Sequence, residues 1–424
     1  MALAVRMGLL VLALALLPSR LRAEEPFRVT LDDALTLLRR QNPKLLAGAL
    51  RIRAAHGDVT TAGLLPNPTL STGVGNLPLG RTNPQGLGVG ATVTSSVGLE
   101  EEVPLPGKRS ARVASARWRE AQAAAERTDL ERTLAFEARS RFVALLEASR
   151  RLGLAQENLD HYRDTVGVSQ ARAREGEISP AEFDKIALEQ RGFEREVADA
   201  EVDRRHAAAA LLPLLGVEAG DVEAVGELVL PPPPDDVDHL IAEALARRPD
   251  LKAAERAADA ADATLRLARA ERWPNPTLGL QYTHSEFLVS GDLANQLGAS
   301  VALPVPVFNR NQGEIERAAA EALIARHEID RLRLEIPQEV RAAVTELAVA
   351  RGRAQRFEDG FLRQAREART AAEASYREGA VSLLEFLEAE RTYLQTERDH
   401  LDALRDANTA AFALTQAGAL EVPR

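Results

Sequence analysis

Cysteine is absent from all 424 residues. Disulfides, thiolate metal sites and the acylated cysteine that opens a lipoprotein are therefore excluded. The two methionines, Met1 and Met7, sit in the leader, so the chain beyond it has no soft sulfur ligand. Aromatic residues make up 4% of the sequence. With alanine abundant, that scarcity fits long helices packed closely side by side. Beyond the leader no stretch approaches 18 apolar residues, so no transmembrane helix is expected. Basic residues are outnumbered, 53 Lys and Arg against 63 Asp and Glu. That balance argues against a nucleic-acid partner and fits a water-lined surface tolerant of cations.

The leader has the layout of a secretory signal: Arg6, an apolar run from Gly8 to Leu17, then Leu21-Arg22-Ala23. Residues 1–23 are expected to be cleaved after Ala23. Losing Arg6, Arg20 and Arg22 with no acid moves the formal charge from −10 to about −13.

What remains is written twice. Pro66-Asn67-Pro68-Thr69-Leu70 returns as Pro274-Asn275-Pro276-Thr277-Leu278, and Pro104-Leu105-Pro106 as Pro304-Val305-Pro306. Arg174-Glu175-Gly176, with Ser179 and Phe183, returns as Arg377-Glu378-Gly379, with Ser382 and Phe386. Three landmarks in one order mark a duplicated unit of domain size rather than a short solenoid module. Residues 24–215 form the first repeat, 216–236 a Pro-rich linker, 237–418 the second repeat and 419–424 a tail.

Each repeat has one plan. A helix, about Leu31–Leu64 or Val237–Arg272, is interrupted early at Asn42-Pro43 or Arg248-Pro249 and ended by Pro-Asn-Pro. Two strands follow: Thr69–Leu79 and Val89–Val103, then Thr277–Leu288 and Leu293–Leu303. Ala91, Val93, Val97, Leu99 and Val103 alternate with glycine, hydroxyl and carboxylate residues, one greasy face and one polar. Near 10 residues long, such strands carry the weak signature of an outer-membrane barrel, which a sandwich edge shares. A helix of some 65 residues comes next, Lys108–Arg174 or Glu314–Arg377, roughly 100 Å long. Pro337 is expected to kink or divide the second, and Asn311 to Glu314 to form a capping box at its start. Shorter helices return, Pro180–Leu212 and Leu383–Gln416, from turns built as Ser-x-x-Glu capping boxes after Gly176 and Gly379. Pro231–Pro234 reads as a stiff extended spacer.

Four strands cannot close a barrel, and an open edge in lipid leaves backbone groups unpaired at several kcal/mol each. If the strands span, several chains share one barrel; three chains supply twelve strands and a usable lumen. The chain resembles the TolC family of outer-membrane efflux factors over essentially its whole length beyond the leader. The doubled Pro-Asn-Pro-Thr-Leu, the exit Pro104-Leu105-Pro106-Gly107-Lys108-Arg109 and Pro304 to Glu314 place it nearest the heavy-metal, CzcC and CusC-like branch. The resemblance implies a mainly α fold with a transmembrane β part: a homotrimeric twelve-stranded barrel in outer-membrane lipid, continued by a periplasmic α-helical barrel. It also implies docking to a periplasmic adaptor and an inner-membrane pump of the proton-driven RND type. The missing lipid-bearing cysteine departs from acylated members.

By the same resemblance, Glu385 and Glu388 constrict the periplasmic entrance as rings of three carboxylates, attracting cations. Their plainer roles are the fourth residue of a capping box and a solvated helix face. The tips, Arg174, Gly176 and Ser179 with Arg377, Gly379 and Ser382, are the expected adaptor contacts; locally they end one helix and cap the next. The copies differ: Glu385, Glu388 and Glu390 crowd behind the second tip, where the first has Asp184 and Lys185, so the second is the gate candidate.

Beyond the leader the histidines are His56, His161, His206, His239, His284, His327 and His400. None lies at i+3 or i+4 from another, so no metal site or cofactor is expected. No nucleophile elbow or phosphate loop appears, so the chain is expected not to be an enzyme. The leading reading is a passive exit duct. Drug-efflux or secretion ducts of the same fold, or a periplasmic scaffold, are the alternatives.

Overall fold

The computed structural model describes residues 27–82, 85–218, 220–286 and 293–418. The expected signal, 1–23, and tail, 419–424, lie outside the described residues, as do residues 287 and 288 of the expected third strand.

The chain opens with β1 (Phe27–Val29) and α1 (Leu31–Gln41). Thr30 caps α1 with a complete box: its hydroxyl accepts from Asp33 N at 3.2 Å and the Asp33 carboxylate accepts from Thr30 N at 3.1 Å. Asn42 stands between α1 and α2 (Pro43–Gly63). Its Oδ1 accepts from Lys44 N and Leu45 N, while Nδ2 donates to Leu214 O at 3.0 Å. One buried amide thus caps two helix ends.

β2 (Thr69–Gly75) stops where Asn76 takes a left-handed φ of 55°. Val89–Thr92, expected as strand, forms instead one helical turn, α3, and β3 (Thr94–Glu102) starts after it. Gly88 and Gly90 weaken a strand there, and the Thr92 hydroxyl bonds back to the carbonyls of Gly88 and Val89 at 3.4 Å. α4 (Lys108–Glu175) is 68 residues, about 100 Å of continuous helix. α5 (Pro180–Leu215) returns beside it, and β4 (Val222–Ala224) follows.

The second copy repeats the order. α6 (Val237–Arg247) and α7 (Pro249–Glu271) meet at Arg248, whose Nη1 donates to Ala417 O at 3.3 Å as Asn42 does to Leu214 O. β5 (Thr277–Ser285) and β6 (Asn295–Ala302) precede α8 (Gln312–Arg356). Asn311 makes no side-chain cap; it sits left-handed at φ 61° and its amide donates to Ala268 O at 2.8 Å, pinning α8 to α7. α8 runs through Pro337 without dividing. Ile336 and Val340, fully buried in the core shared with α6 and α10, hold the helix across the lost hydrogen bond. The division comes later, in a wide turn over Phe357–Phe361 before α9 (Leu362–Arg377), where Gly360 takes φ 157°, ψ −18°. A residue with a Cβ would be strained there. α10 (Leu383–Gly418) closes the chain.

The sheet order is β2-β3-β5-β6, antiparallel throughout, with Leu99 opposite both Leu70 and Leu280, and Tyr282 opposite Leu297. Alternation puts Leu70, Val74, Val97, Leu99, Leu280, Leu297 and Val301 on one face, each at least 49% exposed. Ser71, Ser96, Glu100, Gln281 and Ser300 take the other face. An open sheet with an uncovered apolar face and a polar reverse suits lipid on one side and water on the other.

The 216–236 linker is more than a spacer. β4 pairs in parallel with β1, and both pack on Phe142, Leu145, Leu211 and Leu215. Further on, Arg351 Nε donates to Pro231 O at 3.0 Å and Asn408 Nδ2 to Val229 O at 2.9 Å, strapping the linker across α8 and α10.

Candidate functional site

The helices end in two tips, and each is built from its sequence. In the first, Gly176 takes φ 82°, donates to Ala173 O at 3.2 Å and stops α4. Ser179 Oγ then accepts from Glu182 N at 3.2 Å and starts α5. In the second, Gly379 takes φ 74° and donates to Tyr376 O at 3.0 Å. Ser382 Oγ accepts from Glu385 N at 3.3 Å, and the Glu385 carboxylate accepts from Ser382 N at 3.1 Å. Of the two expected capping boxes, the second is therefore complete; in the first only the serine half forms among the bonds of the described residues. Arg174, Gly176, Ser179, Arg377, Gly379 and Ser382 are all exposed.

Arg172, which carried no signal in the sequence, joins the tips. Its Nη1 donates to Tyr376 O at 3.2 Å, its Nε pairs with Glu177 at 3.1 Å, and its guanidinium lies 5.6 Å from the Tyr376 ring centre. Behind it an aromatic core binds both hairpins: Tyr162 with Phe193 at 4.7 Å, and Tyr376 stacked on Phe386 at 5.3 Å.

The three carboxylates behind the second tip part company. Glu385 and Glu388 are exposed and form no ion pair among the described residues. Glu385 is held by its cap. Glu390 turns inward, 1% exposed, against Arg369 Nε at 2.9 Å. Burial pushes its carboxyl above the usual carboxylate range, against the pull of Arg369 and then His161. His161 in turn pairs with Glu373 at 3.3 Å, so α4, α9 and α10 share one half-buried charge cluster around Glu390. The signal for Glu390 was its spacing: Leu383, Phe386, Glu390 and Tyr393 form one helical stripe, and the other three are core.

Two ion pairs tie α10 to α5: Arg391 with Glu189 at 2.6 Å, and Arg398 with Glu196. Of the other histidines, His56 meets Glu120, and His284 meets Glu286 and Asn295 as an ordinary polar group. Among the described residues no three His, Cys, Asp or Glu gather as a metal site, and no helix is long and apolar enough to cross a membrane.

A four-stranded sheet with a lipid-suited face, carried on a helical shaft of roughly 100 Å, defines an outer-membrane channel with a periplasmic extension. The profile of one family, described as "Outer membrane efflux protein", matches residues 34–217 and again 240–419, and the chain belongs to that family. It is an outer-membrane efflux channel and not an enzyme. The cobalt-zinc-cadmium resistance protein CzcC of Cupriavidus metallidurans is 28% identical over 388 residues, covering 91% of this chain and 89% of that protein. The pyoverdine export outer membrane protein OpmQ of Pseudomonas putida is 27% identical, covering 87% and 81%. In fold the chain is similar to a crystal structure of CusC, with a TM-score of 0.75 at 19% identity over 92% of this chain and 91% of that one. VceC from Vibrio cholerae gives 0.69 at 19% identity, covering 92% and 95%.

Proposed function

We propose that the protein is the exit duct of a tripartite efflux system for heavy-metal cations. Three chains close a twelve-stranded barrel, receive cargo from a periplasmic adaptor and an inner-membrane RND-type pump, and conduct it passively outward. One observation carries a barrel shared between chains: among the described residues β2 and β6 each have one unpaired edge, and three chains supply the twelve strands that leave an open lumen. In hydrocarbon such edges must pair, and antiparallel closure of β6 on the next chain's β2 is the arrangement that satisfies both. The metal cargo rests on the likeness to CzcC along 91% of the chain, with a surface of net negative charge that suits cations. The likeness to OpmQ favours a second reading, an organic chelator as cargo. Deleting the gene and plating on a metal panel separates them. Lost tolerance to divalent cations, restored by the intact gene, supports the first; unchanged tolerance overturns it.

At the tips, the exposed Arg174, Gly176, Ser179, Arg377, Gly379 and Ser382 are the adaptor contacts. The required turn shape, with left-handed glycines and serine caps, presents a fixed surface to dock on. Glu385 and Glu388 form the entrance rings, their carboxylates exposed on the return helix. Neutralising both, Glu385→Gln with Glu388→Gln, is expected to lower cation selectivity and raise leak in planar bilayers. Unchanged single-channel conductance and selectivity would remove them from the gate.

A further inference from the structure

The duplication makes one half of the chain a template for a contact that a lone chain cannot show. Inside the chain the exit of β3 is fastened to the entry of β5 by Asn275. Its Oδ1 accepts from Leu105 N at 3.0 Å and Lys108 Nζ at 2.7 Å, and its Nδ2 donates to Glu102 Oε1 at 2.5 Å. Beside it Val103 N donates to Pro276 O at 2.9 Å. This junction fixes the strand register, Glu102 opposite Thr277 and Glu101 opposite Leu278. It also seats α4 along α7, with Ser115 Oγ 2.9 Å from Thr264 Oγ1.

The asparagine and the backbone N–H it accepts from exist a second time, as Asn67 and Val305, while Ala302 and Phe308 stand at the positions of Glu102 and Lys108. Asn67, in the first Pro-Asn-Pro, is exposed, and no bond to its side chain is found among the described residues, while Val305, in the second Pro-x-Pro, is 76% exposed. β6 and β2 hold the two free sheet edges. On the matching helices, Leu323 and Ile324 of α8 and Leu46 and Leu50 of α2 are each about half exposed or more. By repeat position α8 corresponds to α4 and α2 to α7, so one operation covers the edges and these side chains together.

We infer that Asn67 of one chain fastens the β6 exit of the next, accepting from the backbone N–H of Val305 of the partner subunit as Asn275 accepts from Leu105 within the chain. The inference rests on the trimer reading and adds to it a register. Carrying the motif positions across puts Ala302 opposite Thr69, Val301 opposite Leu70 and Leu297 opposite Val74. That alignment sets apolar residues against apolar residues on the lipid face, which a slip of one residue would reverse. It leaves a defined rival. The second hairpin is offset by two residues from the first, pairing Thr277 with Ala302 where the first pairs Thr69 with Glu100. If the hairpin rather than the Asn junction set the interchain register, Val301 would face Thr72.

A chain with no native cysteine allows a clean test. Directly opposed strand residues lie about 4.5–5.5 Å apart, within disulfide reach, whereas positions two further along lie about 7–8 Å away, outside it. In outer membranes under mild oxidation, Val301→Cys with Leu70→Cys is expected to give a covalent dimer and trimer ladder on non-reducing gels. Val301→Cys with Thr72→Cys is expected to stay monomeric. The reverse pattern overturns the Asn67 register and leaves the trimer standing. No ladder from either pair, with the detergent-extracted chain at monomer mass, overturns the trimer itself. A second arm uses Asn67→Ala in the native chain. Its trimer is expected to dissociate at lower temperature in mild detergent while helical ellipticity is unchanged; dissociation at the parental temperature removes Asn67 from the junction.

Discussion

Arg369→Met is expected to destabilise the chain by about 3–5 kcal/mol, because it strands the buried Glu390 carboxylate without its cation. Glu390 is 1% exposed and Arg369 stands 2.9 Å away. Desolvation already holds the carboxyl above the usual range with the arginine present. Removing the arginine raises it further, and the sign of the pH dependence follows. A carboxyl raised in the folded state contributes stability that is complete below its unfolded value, about 4.3, and is lost as pH rises through the folded value. The deficit of Arg369→Met relative to the parent is therefore full at neutral pH and narrows in acid, once Glu390 takes up its proton. Thermal melts followed by circular dichroism at pH 5 and pH 7.5 would read it; equal deficits at both would refute the account. Adding Glu390→Leu is expected to recover most of the loss, since replacing both members of a buried pair by apolar groups is close to neutral.

Glu390 also shows where reading the sequence stopped. Period-two alternation revealed the strands, because one face meets lipid and the other water, and matched Gly and Ser positions revealed both tips, because helix ends need those residues. Burial of a carboxylate is marked only by its spacing along the helix. Its helical position placed Glu390 on the core stripe of α10, yet side-chain type alone grouped it with Glu385 and Glu388. At Pro337, of the two outcomes a proline allows, a kink or a division, the division does not occur: tertiary packing of Ile336 and Val340 keeps one helix, and the division falls at Gly360, where backbone freedom rather than proline allows it. β1 and β4 were invisible since three-residue strands almost 200 positions apart leave no pattern.

On the gate proposed above at the second hairpin, reversing charge at both links between α10 and α5, Arg391→Glu with Arg398→Glu, is expected to shift the entrance strongly toward open. Each half-exposed pair, Arg391 with Glu189 and Arg398 with Glu196, contributes about 0.2–1 kcal/mol. A trimer multiplies two pairs by three, so together they hold the return helices with roughly 1–6 kcal/mol. Reversal turns that attraction into repulsion of similar size. About 5.5 kcal/mol is enough to move a two-state equilibrium from 1:99 to 99:1. Conductance in planar bilayers should accordingly rise severalfold. Salt sharpens the expectation, because the Debye length falls from about 10 Å at 0.1 M to about 3 Å at 1 M. The parent should loosen as salt rises, and its difference from the variant should shrink. Restoring opposite signs with Glu189→Arg and Glu196→Arg in the same chain should return conductance to the parental level; a four-residue variant that stays open would mean the helices are held by something other than these pairs.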